Sequence, residues 1–207
     1  MLAMPNLRTA KGIRDRAMLE TFYSTGIRRM ELINLKLFDL DTERGTLMVR
    51  MGKGKKDRMI PIGARASAWI VKYRDDVRPQ FASGTDDGVL FLTRFGESFT
   101  PNRLTTLVRD YVEGANIGKK GSCNLFRHTM ATLMLENGAD IRFIQAMLGH
   151  AELTTTELYT QVSIRHLKAI HTATHPGRPI TVGASAEQVN DPEILLAMLD
   201  AEALEEN

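Results

Sequence analysis

Two arginines of this chain stand in surroundings that suit the chemistry of phosphate groups. Arg28 lies in the run TGIRRMEL at 25–32, and Arg127 lies in the run LFRHTM at 125–130. The arginine side chain stays charged, and its planar fork donates paired hydrogen bonds to phosphate oxygens. A solvated surface position is the alternative for Arg28. Arg127 stands among apolar neighbours, where a charge requires a partner, and a bound phosphate is one such partner.

The charge distribution along the chain is uneven. Residues 171–207 contain seven acidic residues and one basic residue, so the first 170 residues carry a formal charge of +8 within a total of +2. Such a distribution favours a polyanionic partner, although many proteins that never bind nucleic acid are equally charged. The single cysteine, Cys123, excludes an internal disulfide framework, and no cysteine or histidine cluster has metal-ligand spacing. We therefore expect neither a metal nor another cofactor.

The length and apolar content of the chain bound its class. A chain of 207 residues with 43% apolar residues can bury one core and leaves little room for a second full domain. No apolar run approaches the roughly 18 residues of a membrane helix, and the amino terminus lacks the apolar stretch of a signal peptide. We expect a cytoplasmic protein with no membrane partner.

The elements that must position these side chains are mainly helical. Two runs of β propensity, 46–50 and 58–62, flank a segment rich in glycine and lysine and predict a hairpin with a basic tip. Residues 89–93 are a candidate for a further short strand. The predicted fold class is mainly α with a small antiparallel β-hairpin or sheet. Apolar spacing and capping residues predict helices over 12–24, 28–35, 64–77, 101–113, 124–136, 140–148, 154–161 and 163–172.

Composition divides the chain into three parts. Residues 1–174 form the globule, and residues 175–190 form a linker whose proline and glycine residues interrupt any periodicity. Residues 191–207 then predict an acidic helix, capped by Asp191 and carrying Pro192 in its first turn. The apolar stripe of that helix must be buried somewhere, either at home or on a neighbouring protomer.

Four separated motifs occur in an order that is typical of one family. They are TGIRRMEL at 25–32, GKG at 52–54, NLFRH at 124–128, and LGH at 148–150 followed nine residues later by Tyr159. Their order and spacing resemble the tyrosine recombinases, the family of phage integrases and Xer-type resolvases, over roughly residues 12–168. That family has an arginine in a TG-[LI]-R-x-x-E-L helix, a lysine in a hairpin, H-x-x-R, and L-G-H before a tyrosine. Every motif matches except at one position.

The resemblance implies a role for each matching residue. Tyr159 is the implied nucleophile, which attacks a DNA phosphate and forms a 3′-phosphotyrosine. Arg28 and Arg127 bind the non-bridging phosphate oxygens, and the family pattern favours Arg28 over its neighbour Arg29. Lys53 is the implied proton donor to the departing 5′ oxygen. His150, at the end of the LGH motif, is implied to contact the phosphate or the transition state.

Other residues receive supporting roles, and one departs from the family. Glu31 resembles the family acid that orients active-site groups, with an exposed surface acid as the alternative. Lys55, Lys56 and Arg58 are interpreted as phosphate contacts, with solvated charge as the alternative. Asn124 stands where the family usually has histidine, and asparagine cannot take up a proton at useful pH. Proton transfer at Tyr159 therefore lacks its usual partner here.

The resemblance also implies an activity and partners. The chain is expected to be the catalytic domain of a site-specific recombinase that acts on double-stranded DNA without metal or ATP. It is expected to work as a homo-oligomer on DNA, with a tetramer as the expected form. Only about ten residues precede the first predicted helix, so the amino-terminal DNA-binding domain common in the family is expected to be missing. The alternatives are a type IB topoisomerase and a non-catalytic DNA-binding regulator, the latter suggested by Asn124.

Overall fold

The structure is a computed structural model, which describes residues 1–50, 57–82, 87–119, 121–149 and 164–176. Most of the described residues are helical, and one small antiparallel sheet lies among the helices. The helices are α1 (Ala10–Thr25), α2 (Arg29–Asn34), α3 (Ala64–Lys72), α4 (Arg78–Phe81), α5 (Pro101–Gly114), α6 (Cys123–Glu136), α7 (Ile141–Leu148) and α8 (Ile164–Thr174). The strands are β1 (Leu40–Asp41), β2 (Thr46–Val49) and β3 (Arg58–Pro61). A π-helical turn, Tyr73–Val77, joins α3 to α4.

Helix α1 forms the centre of the fold. It begins at the cap residue Thr9, whose side-chain oxygen accepts a hydrogen bond from the Gly12 amide at 3.0 Å. It packs against both α3 and α6. It ends at Gly26, which adopts the left-handed conformation with φ 61°. That turn redirects the chain from α1 into α2.

The sheet joins three strands in the order β1-β2-β3, with both pairs antiparallel. Leu47 lies opposite Ile60, and both side chains are completely buried. Val49 lies opposite Arg58 at the end of the ladder that leads to the predicted basic tip. The tip itself, residues 51–56, lies outside the described residues.

Buried apolar residues form two clusters. The larger one joins α1, the sheet, α3, α5 and the start of α6. The smaller one joins the second half of α6 to α7 and α8, and includes Met130 and Leu148. Gly26 directly precedes Ile27 of the larger cluster, and a Cβ atom built at Gly26 would meet Met130 and Leu148 of the smaller one. The turn after α1 therefore lies where the two clusters meet.

The structure confirms the mainly α class with a small antiparallel sheet and differs in details. The predicted strand at 89–93 is wrong: Val89 and Leu92 make isolated bridges to Lys36 and Ser98, so this run has no continuous partner strand. Strand β1 escaped prediction because two residues carry no periodicity. Within the described part of the chain, no helix is both long enough and apolar enough to cross a membrane.

Candidate active site

Arg127 lies at the boundary between the two apolar clusters. Its side chain leaves α6 with 2% of the residue exposed, in agreement with the apolar run around it. Nη1 donates to the Gly26 carbonyl at 2.7 Å, and Nη2 donates to the Leu148 carbonyl at 3.0 Å. Arg127 thus joins the turn after α1 to the last residue of α7. Asn124 lies one turn earlier on α6 and is partly exposed.

Arg28 lies two residues beyond that turn, at the cap position of α2. It is 8% exposed, and its backbone amide donates to Glu31 Oε2 at 2.8 Å. Its guanidinium Nη1 donates to Glu31 Oε1 at 3.2 Å. Glu31, in the first turn of α2, therefore fixes both the backbone and the side chain of Arg28. The predicted helix began at Arg28, whereas the observed helix begins at Arg29 with Arg28 as its cap.

Arg58 completes this arrangement from β3. Its Nη1 and Nη2 donate to Glu31 Oε1 and Oε2 at 2.7 and 2.8 Å, which is a bidentate pair. Its Nε donates to the Met147 carbonyl at 3.0 Å, near the end of α7. The side chain is 14% exposed. We call Arg28, Glu31, Arg58 and Arg127 the arginine cluster.

The charge of Glu31 is maintained by its neighbours. Burial by itself would raise the pKa of this carboxyl group. The hydrogen bonds and positive charge of Arg58, and then those of Arg28, outweigh burial and hold the pKa below its ordinary value. Glu31 is therefore ionised at neutral pH, and the four side chains of the cluster carry a formal charge of +2.

Helix α8 is attached to the same end of α1. His171 Nε2 lies 2.8 Å from the Ser24 carbonyl, and His175 Nε2 lies 2.8 Å from the Tyr23 carbonyl. These carbonyls belong to the last turn of α1, whose oxygens have no partner within the helix. The two imidazole rings stack with centroids 4.6 Å apart. Burial lowers the pKa of both, and for His175 the value falls to about 4.

Several predicted site residues lie outside the described residues: Lys53, Lys55, Lys56, His150 and Tyr159. The chain on either side of the segment 150–163 is described. Before it, Arg58 and Arg127 hold the carbonyls of Met147 and Leu148. After it, His171 in α8 and His175 just beyond α8 contact the last turn of α1. The chain before this segment is thus held by two arginines of the cluster, and the second half of α8 after it is held on the last turn of α1.

The other three tyrosines of the chain are all described, and each has a raised pKa. Burial raises the pKa of Tyr23, and it raises that of Tyr73 to about 12. Tyr73 is completely buried, and its hydroxyl oxygen accepts a hydrogen bond from the Leu92 amide at 3.0 Å. Burial and the nearby carboxylate of Asp15 raise the pKa of Tyr111, whose hydroxyl donates to Asp15 Oδ2 at 2.8 Å. Each of these phenols is harder to ionise than a free one.

The contacts of Arg58 and of α8 do not follow from the motifs of the sequence. The sequence predicts that Arg58 contacts phosphate beside the basic tip, and this role stays a prediction. The structure shows that the Arg58 side chain pairs with Glu31. A signal was available, because Arg58 precedes the buried Ile60 by two residues and such residues share one face of a strand. His171 and His175 likewise follow the buried Leu167 at intervals of four. Among the residues described, no three histidine, cysteine or acidic side chains group as metal ligands would.

Comparison with known proteins gives a consistent result. The family model described as "Phage integrase family" matches residues 1–166. The chain is 53% identical over 178 residues to tyrosine recombinase XerC 2 of Ralstonia nicotianae, which covers 86% of this chain and 51% of that protein. The chain thus spans about half the length of this curated relative.

Solved structures share the fold. The crystal structure of XerA recombinase has a TM-score of 0.63 and 35% identity, covering 79% of this chain and 58% of that one. The XerH site-specific recombinase bound to its difH substrate, in a pre-cleavage complex, has a TM-score of 0.63 and 25% identity. That match covers 77% of this chain and 46% of XerH.

Proposed function

The chain belongs to the phage integrase family of tyrosine recombinases, and from that premise we propose that it cleaves and rejoins DNA strands during site-specific recombination. The observation that carries the proposal is the arginine cluster. Arg28 and Arg127 come from separate parts of the chain and are both buried at the turn after α1. Buried positive charge of this kind favours an anionic ligand, and a DNA phosphate supplies one.

The proposed reaction is a pair of transesterifications. The Tyr159 oxygen attacks the phosphorus, the bond from phosphorus to the 5′ oxygen breaks, and a 3′-phosphotyrosine forms. The tyrosine loses its proton, and the departing 5′ oxygen gains one. A 5′ hydroxyl of another strand then attacks the same phosphorus and releases the tyrosine. The energy of the broken bond is kept in the covalent link, so the exchange needs no ATP.

The arginines stabilise the negative charge that forms when the tyrosine attacks the phosphorus. Negative charge increases on the non-bridging oxygens as the phosphorus is attacked, and fixed guanidinium groups stabilise it without reorganisation. We assign this task to Arg28 and Arg127. Glu31 and the carbonyls of Gly26 and Leu148 hold these two side chains in place.

The remaining groups complete the proposal. Lys53 is assigned as the proton donor to the 5′ oxygen and His150 as a phosphate ligand. Asn124 lies one turn before Arg127 and can donate a hydrogen bond, but it cannot carry a proton as histidine would. We assign Lys55 and Lys56 to the DNA backbone.

Tyr159 is assigned as the nucleophile by its place in the sequence and by contrast with the other tyrosines. Tyr73 and Tyr111 use their hydroxyls within the fold, and burial keeps all three described phenols protonated. Two arginines of the cluster hold the carbonyls of Met147 and Leu148, which come shortly before the segment that contains Tyr159. A nucleophile held there would be close to a phosphate bound by Arg28 and Arg127.

The proposed partners are double-stranded DNA and further copies of the chain. XerH was solved on its DNA substrate, which supports a DNA partner for this homologous domain. We propose a homo-oligomer on DNA, a tetramer, acting in the cytoplasm.

We also propose that the acidic helix at 191–207 docks on a neighbouring protomer. Truncation after Ser185 should then impair assembly of several protomers on DNA, and unaltered assembly would contradict that role.

The test uses trapped covalent adducts. The chain is incubated with a pool of nicked duplexes of randomised sequence, in which cleavage near the nick releases a short fragment and prevents rejoining. Adducts that survive denaturation are sequenced, which also identifies a substrate. We expect adducts with the unaltered chain and none with Tyr159→Phe, whose DNA affinity should be unchanged because the ring remains. Equal adduct formation by Tyr159→Phe would exclude Tyr159 as the nucleophile.

A further inference from the structure

Arg58 has the wrong surroundings for a simple DNA contact. Each of its three side-chain nitrogens donates to an acceptor within the protein, namely the two oxygens of Glu31 and the carbonyl of Met147. To bind a phosphate in the same bidentate way, Arg58 would have to leave Glu31, a buried carboxylate, without its strongest partner. The geometry therefore suits a side chain that acts inside the site.

Arg58 and Arg28 share one carboxylate unequally. Arg58 holds both oxygens of Glu31 at 2.7 and 2.8 Å, whereas the Arg28 guanidinium contacts Oε1 at 3.2 Å. Without Arg58, the full charge of Glu31 would act on Arg28 alone. The guanidinium of Arg28 would then be drawn toward the carboxylate, and its field at a bound phosphate would weaken.

The same side chain reaches the end of α7. The Arg58 Nε donates to the Met147 carbonyl at 3.0 Å, and Gly149 lies beside the same side chain. A Cβ atom at Gly149 would lie 3.0 Å from Arg58 Cζ and Nε, and the residue has φ 70°. A larger residue at 149 would adopt a left-handed backbone that favours glycine and would crowd the Arg58 side chain. His150 is the next residue in the chain.

We propose that Arg58 is a positioning residue for cleavage, which sets Arg28 through Glu31 and holds the end of α7 at the Met147 carbonyl. The inference rests on the function proposed above. It assigns Arg58 to the rate of strand cleavage and not to the affinity for DNA. It also identifies a physical link from the strand that follows the basic tip to the cap of α2.

The experiment compares Arg58→Gln and Arg58→Lys with Arg44→Gln as the matched control. Arg44 lies at the opposite end of the sheet from the predicted tip, its side chain is 77% exposed, and it pairs with Asp41. All three variants are tested as the full chain on a nicked duplex recovered from the adduct pool. We expect Arg58→Gln to slow single-turnover cleavage by about a hundredfold, because the phosphate ligands are misplaced. Arg58→Lys should lose less, since it keeps the charge but not the fork, and Arg44→Gln should match the unaltered chain.

DNA binding distinguishes positioning from contact. We expect Arg58→Gln to keep the dissociation constant and the salt dependence of binding to the same duplex. A lost phosphate contact would instead weaken binding and reduce the salt slope by about one. Weakened binding with normal cleavage at saturating DNA would therefore overturn the proposal.

A double-mutant cycle tests whether Arg58 acts through Glu31. In a Glu31→Gln background, Arg58→Gln should cost much less than it does alone. An equal loss in both backgrounds would show that Arg58 acts independently of Glu31 and would overturn the proposal. This comparison stays informative where Arg58→Gln reduces folding, because Arg58→Lys can be used in the same cycle.

The titration of Glu31 gives a readout that does not depend on activity. The groups known to face its carboxylate are Arg28 on its own helix and Arg58 on β3, together with the Arg28 backbone amide. Carboxyl NMR should show a higher pKa for Glu31 in Arg58→Gln, where burial is opposed by fewer hydrogen bonds. An unchanged pKa would overturn the positioning role. A complete absence of adducts with the unaltered chain would instead overturn the proposed function, which separates the two failures.

Discussion

Two buried arginine groups of this molecule use the same residue types and differ in charge balance. The first is the arginine cluster, whose formal charge is +2. The second, here called the Arg14 group, consists of Arg14, Asp15 and Tyr111 and is neutral. Arg14 donates to Asp15 Oδ1 from Nε and Nη2, and Tyr111 donates to Asp15 Oδ2.

This difference is the reason that we assign the DNA phosphate to the arginine cluster. The Arg14 guanidinium also donates to the Leu92 carbonyl and lies 4.9 Å from the Phe99 ring centroid, so the fold supplies its partners. In the arginine cluster, one carboxylate is shared between Arg28 and Arg58, while Arg127 holds two carbonyls. In a balanced buried pair each charge neutralises the other, whereas an excess of buried cation favours an added anion. We therefore expect mutations in the two groups to affect different measurements.

The largest expected effect is on stability and belongs to the Arg14 group. Arg14→Met leaves Asp15 buried without its cation, so the free energy of unfolding should fall by about 3 to 5 kcal/mol in urea denaturation. Replacing both partners, as Arg14→Met with Asp15→Leu, should recover much of the loss. Cleavage by the folded fraction should stay normal. A double variant as unstable as the single one would show that the loss does not come from the unpaired charge of Asp15.

The next effect is on cleavage and belongs to the arginine cluster. Arg28→Ala and Arg127→Ala each remove a charged donor from the transition state, at a cost of about 3 kcal/mol, or a hundredfold or more in rate. Single-turnover cleavage of a nicked duplex measures this loss, and urea denaturation shows how much protein is folded. Arg127→Lys serves as a control that keeps the charge. Near-normal cleavage by both alanine variants would show that the arginine cluster does not bind the phosphate in the transition state.

The next prediction concerns stability and pH, and it depends on His175, which follows α8. Burial, and then the neighbouring His171, lower the pKa of His175 to about 4, below its unfolded value of about 6.5. The unfolded chain therefore binds more protons, so stability is complete above pH 6.5 and is lost as the pH falls toward 4. The loss between pH 6.5 and pH 5 should be about 2 kcal/mol. His175→Gln should flatten this dependence in urea denaturation at each pH, and an equally steep curve would contradict the assignment.

The smallest expected effect is at Asn124. If proton transfer limits cleavage at this position, Asn124→His should raise the rate near neutral pH and add a titration near the ordinary histidine pKa of about 6.5. The pH profile of single-turnover cleavage measures both. Asn124→Gln is the matched control, because it enlarges the side chain without adding a titratable group. An unchanged profile with an unchanged rate would show that position 124 takes no part in proton transfer.

Helices and strands were predictable where the signals that define them lie within the element itself. Helices α5, α6 and α7 agree with the sequence to within a residue or two at each end, because their caps and apolar faces are local. Strands β2 and β3 followed from their β propensity around the basic tip. Strand β1 and the bridges of Val89 and Leu92 depend on distant partners, which no local pattern specifies.

For the candidate site, residue types were predictable and contacts were not. Arg28, Glu31 and Arg127 could be selected from their motifs, and the apolar neighbours of Arg127 correctly indicated burial. The attachment of Arg58 to Glu31 joins residues 27 positions apart. The contacts of His171 and His175 span about 150 residues. Such pairings are set by how helices and strands pack, so a single sequence specifies them only weakly.

The most direct test of the account is to identify the amino acid that becomes attached to DNA. The unaltered chain is reacted with the nicked duplex, the adduct is digested with protease and nuclease, and the modified peptide is sequenced by mass spectrometry. The account predicts a nucleotide joined through its 3′ phosphate to Tyr159. Attachment at Tyr23, Tyr73, Tyr111 or a serine, or attachment through a 5′ phosphate, would contradict it.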